Sequence, residues 1–96
     1  MYNESFIQLS FEPCFDGVQL VLDFDKYQLS IVQHSRSYGG TKGLYEIAVM
    51  QNGGQVELLG ITKPGDTVKG FLTLSEVVGI VKKMHSITGA EPKKVK

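Results

Sequence analysis

The sequence predicts an α+β fold, an antiparallel β-sheet of four to six strands with one C-terminal helix packed on it. Three observations predict it. Apolar and polar residues alternate through the first two-thirds of the chain, turn-forming residues separate the alternating runs, and the apolar spacing turns helical after Thr73. A period of two sends successive side chains to opposite faces of a sheet, whereas a period of about 3.6 gathers them on one side of a helix.

Taken in order, Ile7, Leu9 and Phe11 form a first apolar face, and Val18, Leu20, Leu22 and Phe24 a second. Tyr27, Leu29 and Ile31 follow, then Tyr45, Ile47 and Val49. A fifth strand is expected over Val56 to Ile61 and a short sixth over Val68 to Leu72. Asp16-Gly17 and the polar stretch Asp23 to Lys26 mark the first turns. Asn52-Gly53-Gly54 is a hairpin signal, because Asn and Gly tolerate positive φ. In Lys63-Pro64-Gly65-Asp66, proline presets φ and glycine follows it, as a tight turn requires.

The helix is expected from Thr73 onward, with Val77, Ile80, Val81 and Met84 as its apolar stripe. Thr73 followed three residues later by Glu76 has the spacing of a capping box. Lys82, Lys83 and His85 lie at the negative end of the helix dipole, and Gly89 suits a C-terminal stop. Residues 1–89 therefore read as one domain and 90–96 as a flexible basic tail.

Charge and composition narrow the function. The 96 residues carry 10 basic and 10 acidic side chains, a formal net charge of zero. A dedicated nucleic-acid binder carries a basic surplus that displaces counterions, so nucleic acid is not the expected partner. The charge is uneven along the chain: up to Ser35, Glu4, Glu12, Asp16, Asp23 and Asp25 face Lys26 alone. An acidic and a basic side suit protein recognition or self-association. Cys14 is the single cysteine, which leaves no internal disulfide. Met1 to Ser10 lacks a basic stretch followed by a long apolar run, and no apolar run reaches the ~20 residues of a membrane helix. A cytoplasmic protein is expected.

No catalytic arrangement emerges, and the chain is not expected to be an enzyme. Cys14 and His34 sit in no local pattern that orients a base toward a nucleophile. His34, His85 and Cys14 have no metal-ligand spacing, and Asp23 with Asp25 supplies too few oxygens for a hard cation. Neither metal nor cofactor is expected. The unusual segment is Ser35 to Gly43, S-R-S-Y-G-G-T-K-G, between two good strands. It lacks P-loop spacing and no helix follows it. Arg36, Tyr38, Gly39, Gly40 and Lys42 are the candidate partner-binding residues, an aromatic and two cations on a glycine-rich loop, with Tyr45 or Phe71 as neighbouring aromatics if they face outward. The plainer reading is a long hairpin connection in which the glycines supply backbone freedom.

The order of motifs is also informative. Tyr38-Gly39-Gly40 leads to Gly43-Leu44-Tyr45-Glu46-Ile47-Ala48-Val49, then Gly60-Ile61-Thr62, Asp66-Thr67-Val68-Lys69-Gly70-Phe71-Leu72-Thr73 and Glu76-Val77-Val78. This succession resembles a group of short bacteriophage accessory proteins. The resemblance covers the last two-thirds of the chain and departs from the group's pattern at the longer turn Lys63-Pro64-Gly65. It implies a phage-encoded protein, not a virion component, that binds and inhibits a host or anti-phage defence protein by occlusion. No functional residues come with the group. The alternative expectation is a protein that sequesters a signalling nucleotide on the Gly39-Gly40 backbone with Arg36 and Lys42. Either is compatible with a homo-oligomer.

Overall fold

The computed structural model describes residues 10–95. Within them the chain forms β1 (Glu12–Cys14), β2 (Gly17–Phe24), β3 (Tyr27–Gln33), a 3-10 turn (Gly40–Lys42), β4 (Tyr45–Gln51), β5 (Gly54–Gln55), β6 (Val68–Leu72), α1 (Leu74–Thr88) and β7 (Lys93–Lys94). The seven strands make one antiparallel sheet. Ile7 and Leu9 of the first expected strand lie outside the described residues; Phe11 stacks on Tyr45 at 5.4 Å between ring centroids.

Three long strands carry the frame. Leu20 pairs with Ile31 and Ile31 with Ile47; Leu22 pairs with Leu29 and Leu29 with Val49. The register therefore lines the alternating apolar residues up in rows on one face, and all six are buried. Across that face lies α1, burying Val77, Val81 and Met84. The spacing of these three follows the helical repeat, so they form a single stripe. Phe24, Ile61 and Leu72 complete the cluster.

The turns follow their residues. Asn52 and Gly53 both have positive φ, 54° and 81°, as a two-residue type I′ hairpin needs. Across Lys63-Pro64-Gly65-Asp66, Asp66 N–H donates to the Lys63 carbonyl, with Gly65 at φ 87°. The helix cap is the expected box: the Glu76 N–H donates to Thr73 Oγ1, and the Thr73 N–H donates to the Glu76 carboxylate. That N–H first, then the Thr73 hydroxyl, holds the Glu76 carboxyl below its usual range. Gly89, at φ 71°, ends α1 by donating to the His85 carbonyl.

Two expectations are corrected. Val56 to Ile61 is not a strand: β5 stops at Gln55. The chain then curls on itself, because Thr62 Oγ1 accepts from the Leu58 N–H and the Ile61 and Thr62 N–H groups both donate to the Leu58 carbonyl. The side-chain hydroxyl and the close-by carbonyl outcompete a ladder. Residues 90–96, expected as a flexible tail, carry β7, which pairs antiparallel with Leu22 and Asp23 of β2. Lys94 Nζ also reaches the Glu12 carboxylate and, at 3.3 Å, Ser10 Oγ. Lys94, one of the basic residues that suggested a solvated tail, thus ties this segment to the first hairpin.

Candidate functional site

The segment between β3 and β4 is a tightly hydrogen-bonded loop. Ser37 Oγ accepts from the His34 N–H and donates to the His34 carbonyl. The Gly40 N–H donates to the Ser37 carbonyl, and the Lys42 and Leu44 N–H groups both donate to the Gly39 carbonyl. Two carboxylates tie the loop to its surroundings. Asp16 Oδ1 accepts from the Ser35 N–H at 3.0 Å, and Glu46 Oε1 from the Tyr38 N–H at 2.8 Å. The Arg36 N–H donates to His34 Nδ1 at 3.1 Å, which puts the ring proton of the neutral imidazole on Nε2.

Of the five candidate residues, Arg36, Tyr38 and Lys42 are exposed, and Gly39 and Gly40 are not. The glycines serve packing. A Cβ on Gly40 would lie 1.8 Å from the His34 carbonyl oxygen. Gly39, at φ 87°, is buried beneath the loop with its Cβ position 3.0 Å from the Cα of Phe71.

The loop folds back onto β6. The Phe71 N–H donates to the Tyr38 carbonyl at 3.1 Å, and the two rings stack with centroids 6.4 Å apart. Gly70 makes this approach possible, since a Cβ there would lie 2.3 Å from Tyr38 Cβ. A Gly70→Ala substitution is therefore expected to displace Tyr38 and to destabilise by about 1–3 kcal/mol, the usual cost of forcing a methyl into a packed contact. Denaturant titration, with the Tyr38 and Phe71 ring resonances as the local report, checks both effects.

At the other end, Phe15 stands at the tip of the β1–β2 hairpin. Its ring meets His34 edge-on at 5.3 Å, and the Arg36 guanidinium lies 5.9 Å from its centroid, within cation–π range. The site thus runs from Phe15 through Arg36 and Tyr38 to Phe71. Phe71 was an anticipated aromatic neighbour only if it faced outward, and it does, being 56 % exposed. Tyr45, the other such neighbour, is half-buried against Phe11 and the core.

Phe15 and His34 went unassigned by sequence reasoning. No sequence signal marks Phe15, which continues the alternation of Ile7, Leu9 and Phe11 past Pro13.

Both phenylalanines are conformationally costly. Phe15 has φ 54° and Phe71 φ 56°, in the left-handed region. The other non-glycine residues there, Asp25 and Asn52, are turn formers that tolerate it. For a bulky side chain this geometry is a true outlier, costing about 1–2 kcal/mol. Phe15 is nonetheless 81 % exposed, so burial does not offset its strain.

The Ser35 hydroxyl and then its backbone N–H hold the Asp16 carboxyl below its usual value of 3.8. A depressed carboxylate pKa stabilises the fold above the unfolded value and loses that contribution as pH falls through the folded one. Native protein is accordingly expected to lose more stability than Asp16→Asn between pH 5 and pH 2, in thermal melts across that window.

Among the described residues, no three His, Cys, Asp or Glu side chains lie close enough to hold a metal ion, and no helix is long and apolar enough to cross a membrane. His34 is committed to the loop and His85 Nδ1 contacts the Ala90 carbonyl at 2.9 Å. Compared with known families, curated proteins and solved structures, the chain matches no family model, no curated protein and no solved structure.

Proposed function

We propose that this is a binding protein that docks through the face formed by Phe15, Arg36, Tyr38 and Phe71, with Lys42 beside it, and acts by occluding its partner. One observation carries the reading. Two exposed phenylalanines are held in left-handed conformations on either side of the loop. Strained backbone at exposed, bulky residues supports a role beyond the fold itself. A partner that covers both rings recovers the apolar area that folding leaves open. Aromatics and an arginine are the usual energetic anchors of such an interface.

The partner class we propose, a host or anti-phage defence protein in the cytoplasm of an infected cell, follows from the motif resemblance. Two rival routes have less support. Sequestration of a nucleotide at Gly39-Gly40 has little accessible backbone to use, because the Gly40 N–H is spent on Ser37 and Gly39 is buried. Addition of a partner strand needs an open edge, but β1 contains Pro13 and the Phe71 N–H of β6 is taken by Tyr38.

The test is capture from bacterial lysate by the native protein and by an Arg36→Ala, Tyr38→Ala variant, followed by an activity assay of whatever is captured. Recovery by the native form alone, with the captured protein inhibited in proportion to occupancy, is the expected result. A captured protein that keeps full activity when saturated would refute occlusion.

A further inference from the structure

We infer that the segment occupying this face is acidic, and that Arg36 takes one of its carboxylates in a two-point hydrogen bond while apolar side chains cover Phe15, Tyr38 and Phe71. The inference rests on the protein-binding reading above and adds the chemistry of the partner.

Among the described residues, the cations of the face are unpaired with any carboxylate. Its two nearby carboxylates, Asp16 and Glu46, have their acceptor oxygens turned to the loop's own Ser35 and Tyr38 N–H groups. Neither forms an ion pair with Arg36 or Lys42, and both cations are exposed and without an acidic partner among the described residues. Asp16 and Glu46 thus keep their own charge while turning an oxygen to the loop backbone, and Arg36 and Lys42 have no carboxylate partner among the described residues.

Arg36 is also prepared for the task. The Phe15 ring beneath its guanidinium and the hydrogen bond from its N–H to His34 Nδ1 restrict where the side chain projects. A planar fork held over an aromatic ring matches a carboxylate at two points, which a lysine ammonium does not. The strained Phe15 therefore has two roles, as contact surface and as a platform for the cation.

The experiment titrates isotopically labelled full-length protein with three probes: a short peptide alternating glutamate and leucine, the same peptide with glutamine for glutamate, and oligothymidylate. The glutamate peptide is expected to shift the Arg36 and Tyr38 amides and the Phe15 and Phe71 rings. It is expected to bind about tenfold tighter than the glutamine peptide, or ~1.4 kcal/mol. Arg36→Lys, which keeps the charge but not the fork, is expected to lose most of that advantage. Equal affinity for the two peptides would overturn the carboxylate assignment and leave protein binding standing. Oligothymidylate shifting the same resonances, with neither peptide doing so, would overturn both in favour of single-stranded nucleic acid. If no probe moved these resonances, the acidic-segment inference would fall, and lysate capture would decide the broader reading separately.

Discussion

Phe15→Gly is expected to weaken partner binding by about 2 kcal/mol or more, roughly 30-fold, while leaving folding stability within about 1 kcal/mol of the native protein. The two effects separate because opposing terms nearly cancel in the free protein. Glycine relieves the ~1–2 kcal/mol of left-handed strain. It forfeits the contact with Arg36, about 0.5–1 kcal/mol at an exposed site, and an edge contact with His34 of similar size. In the complex no such compensation exists, since the anchor ring and the platform under Arg36 are lost together. Denaturant titration and calorimetric binding to the captured partner measure the two quantities on the same preparation. A variant that lost stability and affinity in equal measure would make Phe15 a structural residue and remove the chief support for the docking face.

The opposite pattern is expected at Phe24. This side chain is fully buried at the far end of β2, opposite Tyr27 across the Asp25-Lys26 turn. Phe24→Ala removes its apolar contacts and leaves a cavity, which costs about 3–5 kcal/mol. For a domain whose whole stability is of order 5–15 kcal/mol, that is a large share. The urea midpoint should fall steeply with an unchanged m-value. The loop lies at the other end of the β2–β3 hairpin, so the molecules that remain folded should bind with native affinity. Failure of the folded fraction to bind would mean that the core and the face are coupled.

The sequence made the frame legible and left the face half hidden. Strands β2, β3, β4 and β6 and the capped helix were readable because each satisfies two independent rules, apolar period and punctuation. Val56 to Ile61 satisfied only the first; its fate depends on Thr62, whose hydroxyl draws the chain into a turn by a contact no alternation reveals. Asp16-Gly17 looked like the first hairpin turn, yet the turn residues are Phe15 and Asp16. Gly17 pairs with Cys14 because a Cβ there would lie 1.9 Å from the Gln33 carbonyl oxygen. Glycine was present for close approach, and the positive φ fell on a phenylalanine. Arg36, Tyr38 and Lys42 were visible as loop residues of the right chemistry. Of their aromatic neighbours, Phe71 was named only on condition that it faced outward and Phe15 was missed, because both join the loop only through the way β1–β2 and β6 flank it.

The division between frame and face has an evolutionary consequence. The residues that meet solvent at Phe15, Arg36, Tyr38 and Lys42 belong to no row of the buried cluster, so selection can exchange them without repacking Leu29, Ile31 or Ile47. Glycines are the exceptions: a Cβ on Gly40 would run into the loop's own His34 carbonyl, and one on Gly70 into Tyr38. The proposed docking residues can therefore change while the close-packed glycines and the apolar register stay constant. Exchange at those exposed positions comes at little cost to folding.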